Sequence, residues 1–342
     1  MVDQPSFVSC GVDLQPLNSL AIAAHCAYFA EATEPSAALE VIAWQQAKQL
    51  PLLILGGGSN LVLCGDWPGL VLQYTNSDFQ ILEQNDETAL LKVGAGYHWH
   101  ALVLETSRRG LHGLENLALI PGNAGAAPVQ NIGAYGVEIS NVLHGVEVLD
   151  MNTRELGFLS CDECQLAYRD SLFKQPEGAR YLIVALYLRL SKKFSPLLTY
   201  PALSGALPNQ NPSPQQLIDT VVEVRKSKLP DPDVIPNAGS FFKNPVVCDE
   251  LANRIKESHP DMPSYPQLDG YQKLAAAWLI DRAGWRGKSH GKVAMHSKQA
   301  LVLVNPDGGN GADVMTLAEL VAGDVLDKFG VALEIEPRCV GG

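Results

Sequence analysis

An α+β chain of two or three domains is predicted by three features of this 342-residue sequence. Helical and strand patterns alternate toward both ends, the middle third is strand-rich, and 46% of the residues are hydrophobic, enough for more than one core. Charged residues make up 18%, and the prolines and glycines are dispersed, which argues against a disordered or repetitive chain.

Up to about residue 75 the pattern is α/β. Ser36 is suited to cap a helix in which Leu39, Ile42, Ala43 and Ala47 share one face. The apolar run from Pro51 to Leu55 leads into Gly56-Gly57-Gly58-Ser59-Asn60 and then Leu61-Val62-Leu63, which reads as strand, glycine turn, strand. It is not the strand-to-helix turn of a dinucleotide fingerprint, and no GxGxxG occurs there. In the middle third, Leu90 to Val93, Val142 to Leu149 and Tyr181 to Leu190 have strand composition, and a helix from about Trp99 to Arg109 ends at Gly110. The Pro- and Asn-rich stretch from Pro208 to Pro214 marks a domain boundary. Ser213-Pro214 then opens a helix to about Lys228. The last third alternates a helix (Gln272 to Ala283), a strand (Ala300 to Val304), a helix (Thr316 to Phe329) and a strand (Val331 to Ile335).

The formal net charge of −12 opposes binding to phosphate backbones, so no nucleic-acid partner is expected, although a local basic pocket can still hold a small anion. The longest apolar stretches, such as Tyr181 to Leu188, fall far short of the ~20 residues of a membrane span. No basic-then-apolar leader pattern follows Met1, and a cytoplasmic location is expected. The seven cysteines (10, 26, 64, 161, 164, 248 and 339) are scattered and odd in number, as in a reducing compartment. Cys161 and Cys164 form a CxxC with no second Cys or His pair nearby, so ordinary thiols are expected and no metal site. His98 and His100 flank Trp99 without a third ligand and are expected to be structural. No residue pattern fixes the oligomeric state; a monomer is expected.

Two segments are richer in small residues than a fold alone requires: the turn at 56–60, and Ile120-Pro-Gly-Asn-Ala-Gly-Ala-Ala-Pro-Val-Gln-Asn-Ile-Gly-Ala-Tyr-Gly136. Without side chains, backbone N–H groups can approach a diphosphate closely and form anion-binding nests. The second segment has no Lys or Arg, so an anion there would rest on backbone dipoles. Taken alone, glycine content equally allows two tight turns between strands.

Longer motifs carry a resemblance. Gly113-Leu-Glu-Asn-Leu-Ala-Leu-Ile-Pro-Gly-Asn-Ala-Gly, continuing through Gln130-Asn-Ile-Gly-Ala-Tyr-Gly-Val-Glu138, resembles the flavin-binding signature of the UDP-N-acetylenolpyruvoylglucosamine reductases, the MurB family. Leu55 to Asn60 is similar to that family's other flavin loop. The likeness continues through Tyr168-Arg-Asp-Ser-Leu-Phe-Lys174, Leu198-Thr-Tyr200, Lys228-Leu-Pro-Asp-Pro232, Asn237-Ala-Gly-Ser-Phe-Phe-Lys-Asn-Pro245 and Ala277-Trp-Leu-Ile-Asp281, in order over roughly residues 20 to 340.

The resemblance implies a two-part FAD-binding domain of the vanillyl-alcohol-oxidase/PCMH type, residues 1–75 and 76–212. A smaller α+β substrate-binding domain, residues 213–342, follows, its last strand returning to the active site. It implies reduction of an enolpyruvyl ether on a UDP-sugar to UDP-N-acetylmuramate, for peptidoglycan precursors, with FAD as cofactor and NADPH as co-substrate. The implied cofactor residues are Gly56, Gly57, Gly58, Ser59, Asn60, Pro121, Gly122, Gly125, Gln130, Asn131, Ile132, Gly133, Tyr135 and Gly136. Ser59 follows the three glycines and no His lies between Leu55 and Leu63, which implies non-covalent FAD.

Hydride delivery to the terminal vinyl carbon develops charge on the carbon beside the carboxylate, as in an enolate. The reaction therefore asks for positive charge or hydrogen bonds at that carboxylate and for an acid. Within the family register, Arg169 suits the carboxylate, since a guanidinium binds it bidentately and stays charged; otherwise it would be a surface Arg paired with Asp170. The resemblance makes Ser240 the proton donor, although a serine in that context is also an ordinary turn residue. It selects Glu336, two residues before Arg338, over Glu334, although both could be solvated carboxylates on the exposed face of a last strand. For the UDP-sugar it points to Tyr200, Lys228 and Asn244, with Lys288 as a further diphosphate candidate. Lys228 would also favour a helix C-terminus for the dipole alone. The Leu-Thr-Tyr segment resembles the subgroup with a mobile tyrosine lid, and Pro201, where Gly is common, stiffens that loop. Two other functions stay open on the residues: a flavin-dependent alcohol or sugar oxidase or dehydrogenase, and a non-catalytic nucleotide-sugar-binding flavoprotein.

Overall fold

The computed structural model describes residues 3–207 and 211–341. Pro208, Asn209 and Gln210 of the expected boundary, and Met1 and Val2 of the expected leaderless start, lie outside the described residues. The chain divides into two compact units, and each is threaded from three stretches of sequence. Unit 1 holds residues up to Val12, Cys26–Gly57 and Pro68–Ser227; unit 2 holds Asp13–His25, Gly58–Trp67 and residues from Lys228 onward.

Unit 1 contains two larger sheets. One has the order β1 (Val8–Asp13), β2 (His25–Ala32), β5 (Trp67–Tyr74), β3 (Leu52–Leu55), with β3 and β5 parallel. The other is antiparallel, ordered β11 (Glu155–Ser160), β10 (Leu143–Asp150), β12 (Tyr181–Ser191), β7 (Thr88–Gly94), β6 (Phe79–Gln84). The three strands expected in the middle third are its centre. They read clearly because Val146, Val148, Leu91, Val93, Leu186 and Leu188 are all buried.

The two helices α1 (Pro35–Ala47) and α2 (Trp99–Arg108) seat Trp44 and Trp99 in the same core. Helix α1 starts ahead of the expected Ser36 cap: Pro35 occupies its first turn and Glu34 is the N-cap residue, because a proline with fixed φ and no N–H belongs at that position. Helix α2 ends as expected, with Gly110 at φ +69°. Both histidines around Trp99 have backbone roles: His98 Nδ1 accepts from Ala101 N at 3.3 Å and caps α2, and His100 Nδ1 accepts from Leu119 N at 3.1 Å. A short hairpin, β8 (Gly133–Ala134) and β9 (Val137–Glu138), the single-turn α3 (Pro201–Ser204) and α4 (Pro214–Lys228) complete unit 1 to its edge. Ser213 Oγ accepts from Gln216 N at 3.2 Å at the start of α4, as its sequence predicts.

Unit 2 has a four-stranded sheet, β13 (Asn237–Ser240), β19 (Val302–Val304), β18 (Val293–Met295), β17 (Ser289–His290). A second sheet is ordered β14 (Val246–Cys248), β16 (Tyr271–Leu274), β15 (Ser264–Pro266). Its helices are α5 (Asp249–Ser258), α6 (Ala276–Arg282) and α7 (Gly311–Phe329). Phe241, Phe242, Leu279, Ile280, Leu317 and Val321 are fully buried in it. The helix expected over Gln272 to Ala283 is a strand followed by a shorter helix. Residues 272–274 pair on both sides with β14 and β15, and Gln272 accepts from Ser264 Oγ at 2.7 Å, so tertiary pairing overrides a helix-compatible pattern.

Helix α7 begins earlier than expected because Asn310 and Asp313 form a reciprocal capping box. The strand expected over Val331 to Ile335 is an irregular segment with one bridge, Ile335 to Phe242. The last strand instead is β20 (Arg338–Val340), which pairs in parallel with β4 (Leu61–Leu63) from the N-terminal part of the chain. Strand, glycine turn, strand is thus correct at 52–63, with the two strands in different sheets.

Candidate active site

In unit 1 the two glycine segments touch. A Cβ on Gly57 would lie 2.8 Å from the Gly122 Cα, one on Gly56 would lie 3.5 Å from the Ala126 Cβ, and one on Gly125 would lie 2.5 Å from the Ala95 Cβ. At Gly57 and Gly125 only a residue without a side chain allows so close an approach, whereas the distance at Gly56 is ordinary contact. The second segment turns repeatedly through left-handed conformations, at Leu119 (φ +58°), Gly122 (+103°), Asn131 (+45°), Tyr135 (+50°) and Gly136 (+85°). Strained non-glycine backbone of this kind gathers at ligand-binding loops. Pro121 is exposed and Gln130 half-buried at the end of a short 3₁₀ turn, whereas Ile132 is buried. Asn131 holds the fold: its amide donates to Glu138 Oε2 at 2.7 Å and to Ala167 O at 3.2 Å, and its oxygen accepts from Ser140 N. In unit 2, Gly58 (φ +63°) leaves no room for a side chain, because a Cβ would lie 1.9 Å from Leu17 O; Ser59 and Asn60 beside it are half-buried. The paired glycine segments form a backbone cradle without side chains of its own at its glycines, of the kind whose N–H groups suit a diphosphate such as that of FAD.

Beyond this cradle, unit 1 gathers two guanidinium groups and two phenols. Arg169 sits at φ +56° in the tight turn bridged between Ala167 and Asp170, and its Nη2 donates to Gly133 O at 3.3 Å. Tyr135 and Tyr200 meet edge-to-face with ring centroids 5.3 Å apart. Asn116, buried, donates to both Tyr135 O and Leu197 O at 3.0 Å, fastening the glycine segment to the loop that carries Tyr200.

Arg225, on α4, went unnoticed in the sequence. Its Nε is buried without a hydrogen-bond acceptor in the chain. Burial pushes its pKa down, Tyr135 nearby pushes it up, and Arg169 pushes it down again. Burial likewise raises the Tyr135 phenol, against the pull of Arg225. Two cations close enough to oppose each other, one with an orphaned buried donor, form a site suited to an anion.

In unit 2 the segment around Ser240 is bulged. Gly239 (φ +70°) donates to Asn237 Oδ1 at 2.8 Å, and the pairing of β13 with β19 slips between Asn237 and Ser240. Such a bulge re-aims the side chain that follows it. The next two residues, Phe241 and Phe242, pack edge-to-face in the core and fix the strand beneath. Glu336 lies alongside: its N–H donates to Phe241 O at 2.9 Å. Ser240 and Glu336 therefore stand on adjacent backbone segments of one unit. The Glu334 carboxylate, by contrast, is bound by Lys243 Nζ and is largely exposed.

The remaining expected substrate residues are dispersed. Asn244 Oδ1 accepts from Ala276 N at 2.9 Å and so caps α6, leaving its amide nitrogen for other partners. Lys288 Nζ lies 4.5 Å above the Trp285 ring. Lys228 is exposed at the C-terminal end of α4.

Two domain families match this chain. The C-terminal domain of UDP-N-acetylenolpyruvoylglucosamine reductase matches residues 230–340, and an FAD binding domain matches residues 26–156. A UDP-N-acetylenolpyruvoylglucosamine reductase of Alcanivorax borkumensis is 47% identical over 328 residues, covering 95% of this chain and 94% of its own. The chain belongs to that family. The reductase of Pseudomonas fluorescens strain Pf0-1 is 43% identical over 96% of this chain and 97% of its own. Among solved structures, the family's Thermus caldophilus member superposes with a TM-score of 0.67 at 23% identity, over 98% of this chain and 99% of that one, which bears out the expected fold. No helix among the described residues is long and apolar enough to cross a membrane.

Proposed function

We propose that this chain reduces the enolpyruvyl ether of UDP-N-acetylglucosamine enolpyruvate to UDP-N-acetylmuramate with NADPH, and that Arg169, Ser240 and Glu336 carry the reaction. The observation behind the residue assignment is the hydrogen bond from Glu336 N to Phe241 O, which keeps the glutamate beside the bulged serine. FAD, when bound, accepts hydride from NADPH and supplies it to the terminal vinyl carbon.

The protein's own residues do the rest. The Arg169 guanidinium holds the substrate carboxylate and offsets charge as the neighbouring carbon becomes enolate-like. Ser240 Oγ donates its proton to that carbon: a hydroxyl is a weak acid, but an enolate carbon is a strong enough base to take it. Glu336, next to the serine, orients the hydroxyl and restores its proton. The half-buried Arg225 and Tyr200 supply charge and hydrogen bonds for the anionic substrate, with Lys228, Asn244 and Lys288 serving the sugar nucleotide, while Tyr135, packed on Tyr200, stays with the cofactor residues. Residues 1–212 hold the cofactor in this reading, and residues 213–342 hold the sugar nucleotide. The net charge of −12 argues against nucleic-acid binding, and the scattered free cysteines support a cytoplasmic location.

The test is spectroscopic. The purified protein should be yellow; NADPH under anaerobic conditions should bleach it, and the enolpyruvyl UDP-sugar should restore the oxidised spectrum without oxygen. Flavin that stays oxidised under NADPH, or that the sugar fails to reoxidise, ends this assignment.

A further inference from the structure

Three sulfur atoms converge in unit 2 at the junction of β4, β20 and α7. Cys339 Sγ lies 3.5 Å from Met315 Sδ, and Cys64 stands on the same face of the parallel ladder, two residues beyond Val62, the partner of Cys339. The junction is rigid. Cys64 N continues the ladder of β4 by donating to Val340 O at 2.7 Å. Helix α7 starts directly on this strand, since a Cβ on Gly311 would lie 2.1 Å from Leu63 O and 2.6 Å from the Cys64 Cα. Gly341, at φ +80°, closes against Gly65 O at 2.7 Å in the same way. Cys339 is exposed and Cys64 and Met315 are half-buried, so the three sulfurs can be reached from solvent.

Two chemistries compete for such a cluster. Cys339 pairs with Val62 in the parallel ladder, and Cys64 is two residues further along the same face. Diagonal positions of this kind are about 7–8 Å apart between Cα atoms, beyond the usual span of a disulfide, about 4.4–6.8 Å. Oxidation to a disulfide would have to move a backbone that Gly311 and Gly341 lock in place.

A metal ion has no such difficulty. An ion held in a plane by three sulfurs at about 2.3 Å asks for sulfurs about 4 Å apart, and it displaces the thiol protons itself. We propose that Cys64, Cys339 and Met315 form a binding site for one soft, thiophilic cation of the copper(I) class. Two thiolates and a thioether are the donor set such ions prefer over zinc or magnesium. Binding converts one Cu⁺ and two thiols into a bis-thiolate complex and releases two protons to solvent, with no change of oxidation state. The bound ion fastens the C-terminal strand to the strand that follows the glycine turn and to α7.

The test uses the full-length chain, reduced and anaerobic, titrated with copper(I) against a chromogenic chelator such as bicinchoninate. Cys161→Ser/Cys164→Ser serves as the background, so that the CxxC pair of unit 1 cannot contribute. One equivalent should be withheld from the chelator in that background, lost on adding Cys339→Ser, and held more weakly with Met315→Leu. Copper(I) should also raise the thermal midpoint of the background protein but not of its Cys339→Ser derivative, since an ion that binds only the folded state stabilises it. Failure to withhold an equivalent, or equal retention after Cys339→Ser, overturns the site. Unchanged affinity in Met315→Leu removes the thioether and with it the three-sulfur assignment.

Discussion

Removing one hydroxyl should divide the reaction in two. Ser240→Ala leaves the glycine cradle and Arg169 intact, so NADPH should bleach the flavin at the parent rate. The sugar-dependent reoxidation should slow by roughly 10²–10⁴-fold, the usual worth of positioned proton transfer. Stopped-flow measurement of the two half-reactions checks this, and equal slowing of both would count against proton donation. At this scale the sequence was informative unevenly. In the sequence only family register prefers Glu336 over Glu334; the contact that supports the proposal, Lys243 on Glu334, joins distant parts of the chain. Arg225 was missed, yet a signal existed. Leu217, Val221 and Arg225 recur every four residues, so the arginine falls on the apolar stripe of α4, where a charge stands out as a candidate position.

Elements were legible where a local rule and the tertiary environment agree. Pro214 opens α4, Gly110 ends α2, and the three central strands of the antiparallel sheet are apolar runs that are buried along most of their length. They were misread where pairing decides: Gln272 and Lys273 pass for the start of a helix until β14 and β15 flank them, and Leu333-Glu-Ile-Glu passes for a strand although it has only one bridge. Two predictions concern elements. Gly57→Ala puts a methyl 2.8 Å from the Gly122 Cα, so the protein should purify with much less bound flavin while its far-UV circular dichroism is unchanged. Asp150, at the end of β10, is pushed up by burial but held below the ordinary carboxylate range by the Asn152 and Thr153 N–H groups and by Arg180. A carboxyl with a depressed folded pKa stabilises fully above its unfolded value, near about pH 4, and loses that contribution as the pH falls through the folded value. Asp150→Asn should therefore cost about 1 kcal/mol at neutral pH. The gap to the parent should close in acid, as read by urea melts across pH.

At the scale of the whole molecule, each unit takes strands or turns from the other's stretch of sequence. Unit 2 depends on its early segments: Asn237 N donates to Ser19 O, Asn305 Nδ2 donates to Leu20 O, and β20 pairs with β4. A fragment of residues 228–342 should accordingly lack a cooperative thermal transition, and adding a peptide of residues 58–67 alone should not restore one. Composition and charge could foretell that more than one core exists, but no local pattern announces a unit assembled from three separated stretches. The parallel pairing of Arg338 with Leu61 also sets an order of events during synthesis. Strand β4 leaves the ribosome early and keeps one edge open until β20 has been made. Ending translation before Arg338 would leave that edge unpaired, a ready template for another chain, and hand the truncated polypeptide to the quality-control machinery.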